Sequence, residues 1–531
     1  MHADPGGADS RRAAAQGIGV VAGLIARTLG PAGRPVVIKD QTGSDIEDIE
    51  AADAEAIVAR FTPSDPQDSV GADYVRDLVR DQLAAAGDGA ATAVVLADAM
   101  VRRVVAAVTV NADPVGLSIG IQAALDRVLD ELGSRGTDVR AKEEIAGVMA
   151  AAIFDRPLAD VLAQAFDKVG KEGVILVEPA EPDAPGLDLT LSQGMTVEGG
   201  YVSADFVTDA ARGEAVVLDP CLLLVDGVVA AAEDLLPALD TAATAGRPLV
   251  VLASGVEGAA LEALLEDESH GTSPALVARV SGNPGTRRAV LGDVAALTGG
   301  TVVVGTVVGG TVAGGTVDDR PLLGSAGKVI ATGDHVLIVD ASADEAAFME
   351  RFTRIRARIE APETGEEERQ ELFKRLERFA GGAATLRVGG ATGAETAQLI
   401  ARAERGLAIA RMAMDTSVLP GGGAALADIQ RALEKFPKSL SGRPWGHEDK
   451  DQTIGARILL DSLTAPMRQL AENAGVPAAA FDKALKSRKD GTGIDASGNP
   501  VPMRPHVMDV LPVLVAAVSN AASVSKRVLA G

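Results

Sequence analysis

Apolar and polar positions recur along this chain with two different periods, and the change from one to the other divides it. In the first 134 residues the pattern is mainly helical. Ala13 to Thr28 predicts a helix ending at Leu29-Gly30-Pro31-Ala32-Gly33, a turn that a helix cannot continue through. Val36-Val37-Ile38 is a short strand, and helices follow at Asp77 to Ala86, Ala93 to Val110 and Val115 to Leu132. From about Gly173 the texture changes to short apolar runs at 174–177, 222–225, 249–252 and 301–304. Helical stretches such as Gly258 to Glu266 and Arg287 to Leu297 separate them. Alternating β and α elements predict an α/β domain between about residues 193 and 380. Phe348, Phe352, Ile355 and Ile359, then Leu372, Leu376 and Phe379, form core-packing stripes on two helices. A turn from Pro362 to Glu366 joins the two, and Gly381-Gly382 stops the second. Gly299 to Val317 repeats a Gly-Thr-Val unit four times, too short for a solenoid, and reads as glycine-weakened strands. After Gly390 the chain is helical again. Lys435 to Lys450, broken by Pro437, Gly442 and Pro444, predicts a surface loop, and a helix from Leu511 to Leu529 follows. Helical ends around a central α/β insertion predict one domain assembled from both ends of the chain.

Composition narrows the picture. At 531 residues the chain exceeds one ordinary core, so about three domains are expected. It is 47% hydrophobic but only 2% aromatic, with 59 glycines, which suits Ala-rich helices and Val-rich strands. A formal charge of −24 disfavours nucleic acid and anionic membrane surfaces as partners. Cys221 is the only cysteine, so no internal disulfide forms, and its apolar neighbours make it a core residue. The histidines, His2, His270, His335, His447 and His506, show no metal-ligand spacing. No basic-then-apolar leader opens the chain and no run of about 18 uncharged apolar residues appears, so a soluble, cytoplasmic protein is expected.

The most informative stretch is Ala86-Gly87-Asp88-Gly89-Ala90-Ala91-Thr92, a glycine-rich turn that opens into a long apolar helix. Free N–H groups at a helix start attract phosphate, and Asp88 suits a magnesium ion that neutralises it. The same residues also fit an ordinary helix N-cap.

Several motifs then converge in order. Residues Thr28 to Arg34 are similar to the signature TLGPKGR. Gly87-Asp88-Gly89 stands in the place of GDGTTT, and Gly170 to Ile175 reads GKEGVI. Leu297 to Val302 reads LTGGTV, and Gly421-Gly422-Gly423 a GGG turn. With this order and spacing along almost its whole length, the sequence resembles the GroEL-type, group I chaperonins.

That resemblance implies a multidomain protein. Its mainly helical equatorial domain would comprise 1–134 and 415–531, a small intermediate domain 135–192 and 384–414, and an inserted α/β apical domain 193–383. It implies an ATP-binding equatorial domain that builds homo-oligomeric rings of seven, and an apical domain that binds non-native polypeptides and a lid-like co-chaperonin. Position by position, Thr28, Leu29, Gly30 and Pro31 fall on the nucleotide-contacting turn. Asp88 falls on the magnesium ligand, and Gly89, Ala90, Ala91 and Thr92 on the phosphate loop. Gly422 falls on the glycine turn, Asp509 beside the ribose, and Asp53 on a carboxylate near the γ-phosphate. ATP and Mg2+ are the implied cofactors. Tyr201, Phe206, Leu236, Leu239, Leu261 and Leu265 fall on the apolar polypeptide-binding groove, with Asp205 and Glu266 placing charges in it.

The departures point one way. The family's hydrolytic aspartate falls on Arg405, which can grip phosphate but cannot accept a proton from water. Its neighbour Glu404 points roughly 100° away on a helix. Two phosphate-loop threonines are Ala90 and Ala91, and a lysine beside the site is Ala52. A polar Thr-x-Ser-x-Asn run is Ala150-Ala151-Ala152-Ile153-Phe154. An inter-subunit arginine–glutamate pair falls on Gly199 and Gly393. A hinge glycine is Ser417, while the apical hinge glycines Gly194 and Gly382 are kept. The expectation is weakened nucleotide binding with hydrolysis slow or absent, loss of the water-orienting carboxylate alone costing about 10²–10⁴-fold in rate. The alternative is a chaperonin-fold holdase or scaffold with little or no turnover. A stand-alone enzyme of the α/β domain is disfavoured, since no nucleophile–base constellation, Walker A loop or Rossmann fingerprint appears.

Overall fold

The computed structural model describes residues 5–39, 48–51, 53–65, 68–139, 141–171, 173–180, 186–192, 194–269, 275–304, 316–317, 320–321, 323–341, 345–361, 364–380, 382–439 and 449–530. The chain divides into two compact units, Met1–Ala163 with Ala401–Gly531, and Gln164–Ile400.

The first unit is helical and draws on both ends of the chain. Its long helices are Pro5–Ala26, Ser69–Ala86, Ala90–Thr109, Pro114–Arg135, Asp449–Ser462 and Leu511–Ala530. Ile18, Ile25, Leu96, Met100, Leu117 and Ile121 are fully buried between them, with Val518, Ala521 and Ala522 from the last helix. Small residues let these helices approach closely, which explains a core almost without aromatics. A Cβ on Gly120 would overlap the carbonyl oxygen of Gln452, and one on Gly455 that of Leu117, so this crossing admits only glycine. The Leu511–Ala530 helix is long and apolar enough to cross a membrane by composition, but it lies largely buried inside the unit. Where a loop is expected at 435–450, Phe436–Ser439 forms a helical turn and Pro437 is buried. Proline is tolerated there because a first-turn amide has no intrahelical partner. Gly442 and Pro444 lie outside the described residues.

The second unit holds an eight-stranded mixed sheet. Val302–Val304, Cys221–Val229, Leu249–Val256 and Ala275–Val280 run parallel in that order. Gly194–Tyr201, His335–Ala341, Gly324–Ala331 and Ala215–Leu218 continue it antiparallel. The connecting helices are Leu236–Ala245, Gly258–Ser269 and Pro284–Thr298. Leu222, Leu224, Val225 and Val250 to Ala253 are buried, as both faces of such a sheet are covered, so these strands read as continuous apolar runs. Cys221 is buried among them, and desolvation pushes its thiol pKa up.

The predicted helical hairpin is present as Glu345–Glu360 and Glu366–Ala380. Phe348 and Phe379 stack with ring centroids 4.5 Å apart. Asp293, fully buried, accepts from Arg351 Nε and Arg375 Nη2, each at 2.7 Å, and so ties the hairpin to the Pro284–Thr298 helix. A separate three-stranded sheet pairs Ala383–Gly389 with Val174–Pro179 in parallel and Gly186–Ser192 antiparallel. Most of the Gly-Thr-Val repeat (305–315), the hairpin turn at 362–363, Gly381, His2, His270 and His447 lie outside the described residues.

Candidate nucleotide site

Three turns build the site, all in the first unit. After the Pro5–Ala26 helix, Thr28 turns inward and its Oγ1 donates to the Ile25 carbonyl at 2.8 Å. Gly30, at φ +86°, lies so close to Leu470 that any Cβ would overlap that side chain. Gly33 N–H donates to the Gly30 carbonyl at 2.9 Å and closes the turn. Asn473 fastens it from outside, its Nδ2 donating to the carbonyls of Ala26 and Leu29, each at 2.8 Å. Thr28 and Leu29 are buried and Pro31 is exposed.

The second turn is Gly87-Asp88-Gly89. Gly87, at φ +64°, ends the Ser69–Ala86 helix, and Gly89, at φ +83°, starts the Ala90–Thr109 helix. Gln82, fully buried, donates from Nε2 to the Asp88 carbonyl at 2.8 Å and to the Val513 carbonyl at 3.2 Å. Asn520 Nδ2 in turn donates to Gln82 Oε1 at 3.0 Å, locking the turn to the last helix. No side chain caps the Ala90–Thr109 helix, because its N-cap is Gly89. The Asp88 carboxyl instead accepts from the Gly89 N–H. Desolvation nevertheless pushes the Asp88 pKa up, opposed by that N–H and by the positive charge of Arg405.

The third turn follows the short strand Val418–Pro420, which pairs antiparallel with Met508–Val510 and sets Leu419 opposite Asp509. Gly421 N–H donates to the Val507 carbonyl at 2.9 Å. A Cβ on Gly421 would stand 3.0 Å from Asp509 Oδ1, so glycine leaves the carboxylate its room. Gly422 and Gly423, at φ +63° and +76°, lead into the Ala424–Ala432 helix, which also lacks a side-chain cap. Asp509 is pushed up to about 7, chiefly by desolvation and secondarily by the negative charge of Asp88. The two acids are therefore close enough to repel one another. The Ala465–Asn473 helix links two of the turns: Leu470 packs on Gly30 and Met467 on Gly423.

Asp53 and Arg405 meet at the same place. Asp53 caps the Ala54–Arg60 helix, Oδ1 accepting from Ala56 N at 2.9 Å. Its Oδ2 lies 3.7 Å from Arg405 Nη2, on the Gly393–Asp415 helix. The guanidinium thus pairs with Asp53, and its positive charge is also felt at Asp88. The Ala150-Ala151-Ala152 run is helical, and Phe154 follows it in the left-handed region at φ +54°. Ala52 lies outside the described residues.

Residues 21–530 match the TCP-1/cpn60 chaperonin family. The chain belongs to that family. Membership supports a chaperonin-type role in protein folding for this chain, and a multidomain α and α/β architecture accords with it.

Among the positions predicted for polypeptide contact, the chaperonin leaves Leu236 53% exposed. Tyr201, Leu239, Leu261 and Leu265 are half-buried against the sheet core. Phe206, expected on the groove, is only 2% exposed and packs in the core of the sheet. Asp205 is exposed and accepts from Ser203 Oγ at 2.8 Å, while the side chain of Glu266 lies outside the described ones. Gly199 has its own structural reason. At φ +145°, a Cβ there would overlap the Arg279 carbonyl oxygen, so the close approach of two strands excludes an arginine. Gly393 faces open space, and sterics do not explain the loss of its side chain.

The asparagines and glutamine that hold the turns, Asn473, Asn520 and Gln82, are absent from the sequence-based expectations. Each stands on an ordinary helix, and its partners are carbonyls hundreds of residues away or in another turn. No local pattern marks them.

Proposed function

We propose that this chaperonin is a group I-type subunit that binds magnesium–ATP at the three turns and hydrolyses it slowly. The observation that carries the proposal is the Arg405–Asp53 ion pair at 3.7 Å, beside Asp88. The donor set fits a magnesium-bound triphosphate. Asp88 and Asp509 are disfavoured as neighbouring desolvated carboxylates, and a cation would relieve that repulsion. The uncapped starts of the Ala90–Thr109 and Ala424–Ala432 helices supply backbone donors for phosphate oxygens. Bound magnesium would screen the charge of those oxygens. Asp88 would hold it, with Gly89 to Thr92 and Gly422 on the phosphates, Thr28 to Pro31 along the nucleotide and Asp509 toward the ribose.

Hydrolysis needs an acceptor that orients the attacking water. Arg405 offers only donors, and its positive charge lies 3.7 Å from an oxygen of Asp53, the carboxylate expected near the γ-phosphate. Ala90 and Ala91 keep the amides of the phosphate loop but bring no hydroxyls. By resemblance, the subunit assembles into seven-membered rings, uses equatorial, intermediate and apical domains with the boundaries given above, and captures non-native chains at Tyr201, Leu236, Leu239, Leu261 and Leu265.

A phosphate-release assay on the wild type and Arg405→Asp tests this. The expected outcome is slow release by the wild type and an increase of at least about tenfold in the variant. Wild-type release at ordinary chaperonin speed would refute the weakened site. Nucleotide binding without release in either protein would favour the holdase or scaffold reading.

A further inference from the structure

The geometry points to Arg405 as a sensor of the terminal phosphate: without nucleotide its guanidinium rests on Asp53, and a nucleoside triphosphate, unlike a diphosphate, draws it away. This rests on the nucleotide site proposed above. At 3.7 Å the contact is an ion pair too long for a hydrogen bond. The two side chains are 36% and 43% exposed, so water and salt screen the attraction. The pair is held weakly enough to exchange.

Asp53 loses little when Arg405 leaves. Its other oxygen still accepts from Ala56 N at 2.9 Å, so the cap of the Ala54–Arg60 helix survives. Arg405 gains more than it gives up. Its planar fork matches two phosphate oxygens at once, and a terminal phosphate carries more charge than a single carboxylate. Its charge is also felt at Asp88, the expected magnesium ligand, so a triphosphate held there would bring its terminal phosphate within reach of the same field. The state of the site would then be set by which nucleotide is bound. Exchange of triphosphate for diphosphate would reset it, with no chemical step required.

Calorimetric titration of the full chain with magnesium and either the β,γ-imido analogue of ATP or ADP tests this, on the wild type, Arg405→Ala, Arg405→Lys and Asp53→Asn. The wild type is expected to bind the triphosphate about tenfold or more tighter than ADP. Arg405→Ala should bring that ratio to about threefold or less by weakening the triphosphate, and Arg405→Lys should fall between, having charge without the fork. Asp53→Asn keeps the helix cap, weakens the resting contact and should raise the ratio. A ratio unchanged in Arg405→Ala, or one that increases, overturns the sensor while leaving the nucleotide site standing. Absence of ADP binding by the wild type overturns the site and the sensor together.

Discussion

Asp509 shows how much a single half-buried, desolvated charge costs. Its carboxyl is pushed from the ordinary 3.8 up to about 7, mainly because desolvation penalises the anion and then because Asp88 repels it. The folded chain therefore holds a proton there that the unfolded chain releases. The burial is harmless below about pH 4, where both states are protonated, and stability falls as pH rises toward 7. Asp509→Asn should remove that slope. Urea unfolding between pH 5 and 8 is expected to show the variant gaining on the order of 4 kcal/mol over the nucleotide-free wild type at pH 8. An equal slope in both proteins would place the carboxylate in water instead. Gly89 makes the complementary point about backbone. At φ +83°, with a Cβ position 2.5 Å from Val513 Cγ1, Gly89→Ala should cost about 1–3 kcal/mol in the same assay.

Elements, in contrast to residues, were largely legible, because burial imposes a period on them. The strands at 222–225 and 249–252 read correctly as apolar runs, since the sheet is covered on both faces. The expected helix from Asp77 in fact starts at Ser69, where Gly71 weakens the helical signal. That glycine is there because a Cβ would overlap the Ala14 carbonyl of the first helix, a requirement of packing that local propensity does not register. The Ala465–Asn473 helix has a role no periodicity reveals: it positions two of the three turns. Asn473→Ala would remove the side-chain donor from the Leu29 carbonyl and leave the Ala26 carbonyl only the Leu29 N–H at 3.3 Å. The expected loss is about 1–2 kcal/mol by thermal melting, with weaker binding of fluorescent ADP. Unchanged nucleotide affinity would mean that the Thr28–Pro31 turn holds its shape alone.

For the whole molecule, the two units carry separate cores, so damage to one should leave the other's ligand response intact. Asp293 provides the test. Removing its buried carboxylate strands Arg351 and Arg375, and Asp293→Ala should destabilise residues 164–400 by about 3 kcal/mol. Hydrogen exchange is expected to quicken across that unit while magnesium–ADP still protects the helices at 69–86 and 90–109. Loss of that protection would show one cooperative body, with the nucleotide site dependent on the sheet.

Helix and strand placement, the α/β insertion and the glycine-bearing turns followed from the sequence by itself, because periodicity and backbone freedom are properties of neighbouring residues. The meeting of Asp88, Asp509, Asp53 and Arg405 was decided only by the tertiary structure. Position-by-position resemblance nominated these residues, but the sign and strength of their mutual charges depend on distance and desolvation, which no stretch of chain contains. The same holds for Phe206, whose apolar side chain suits a groove and a core equally until packing chooses the core.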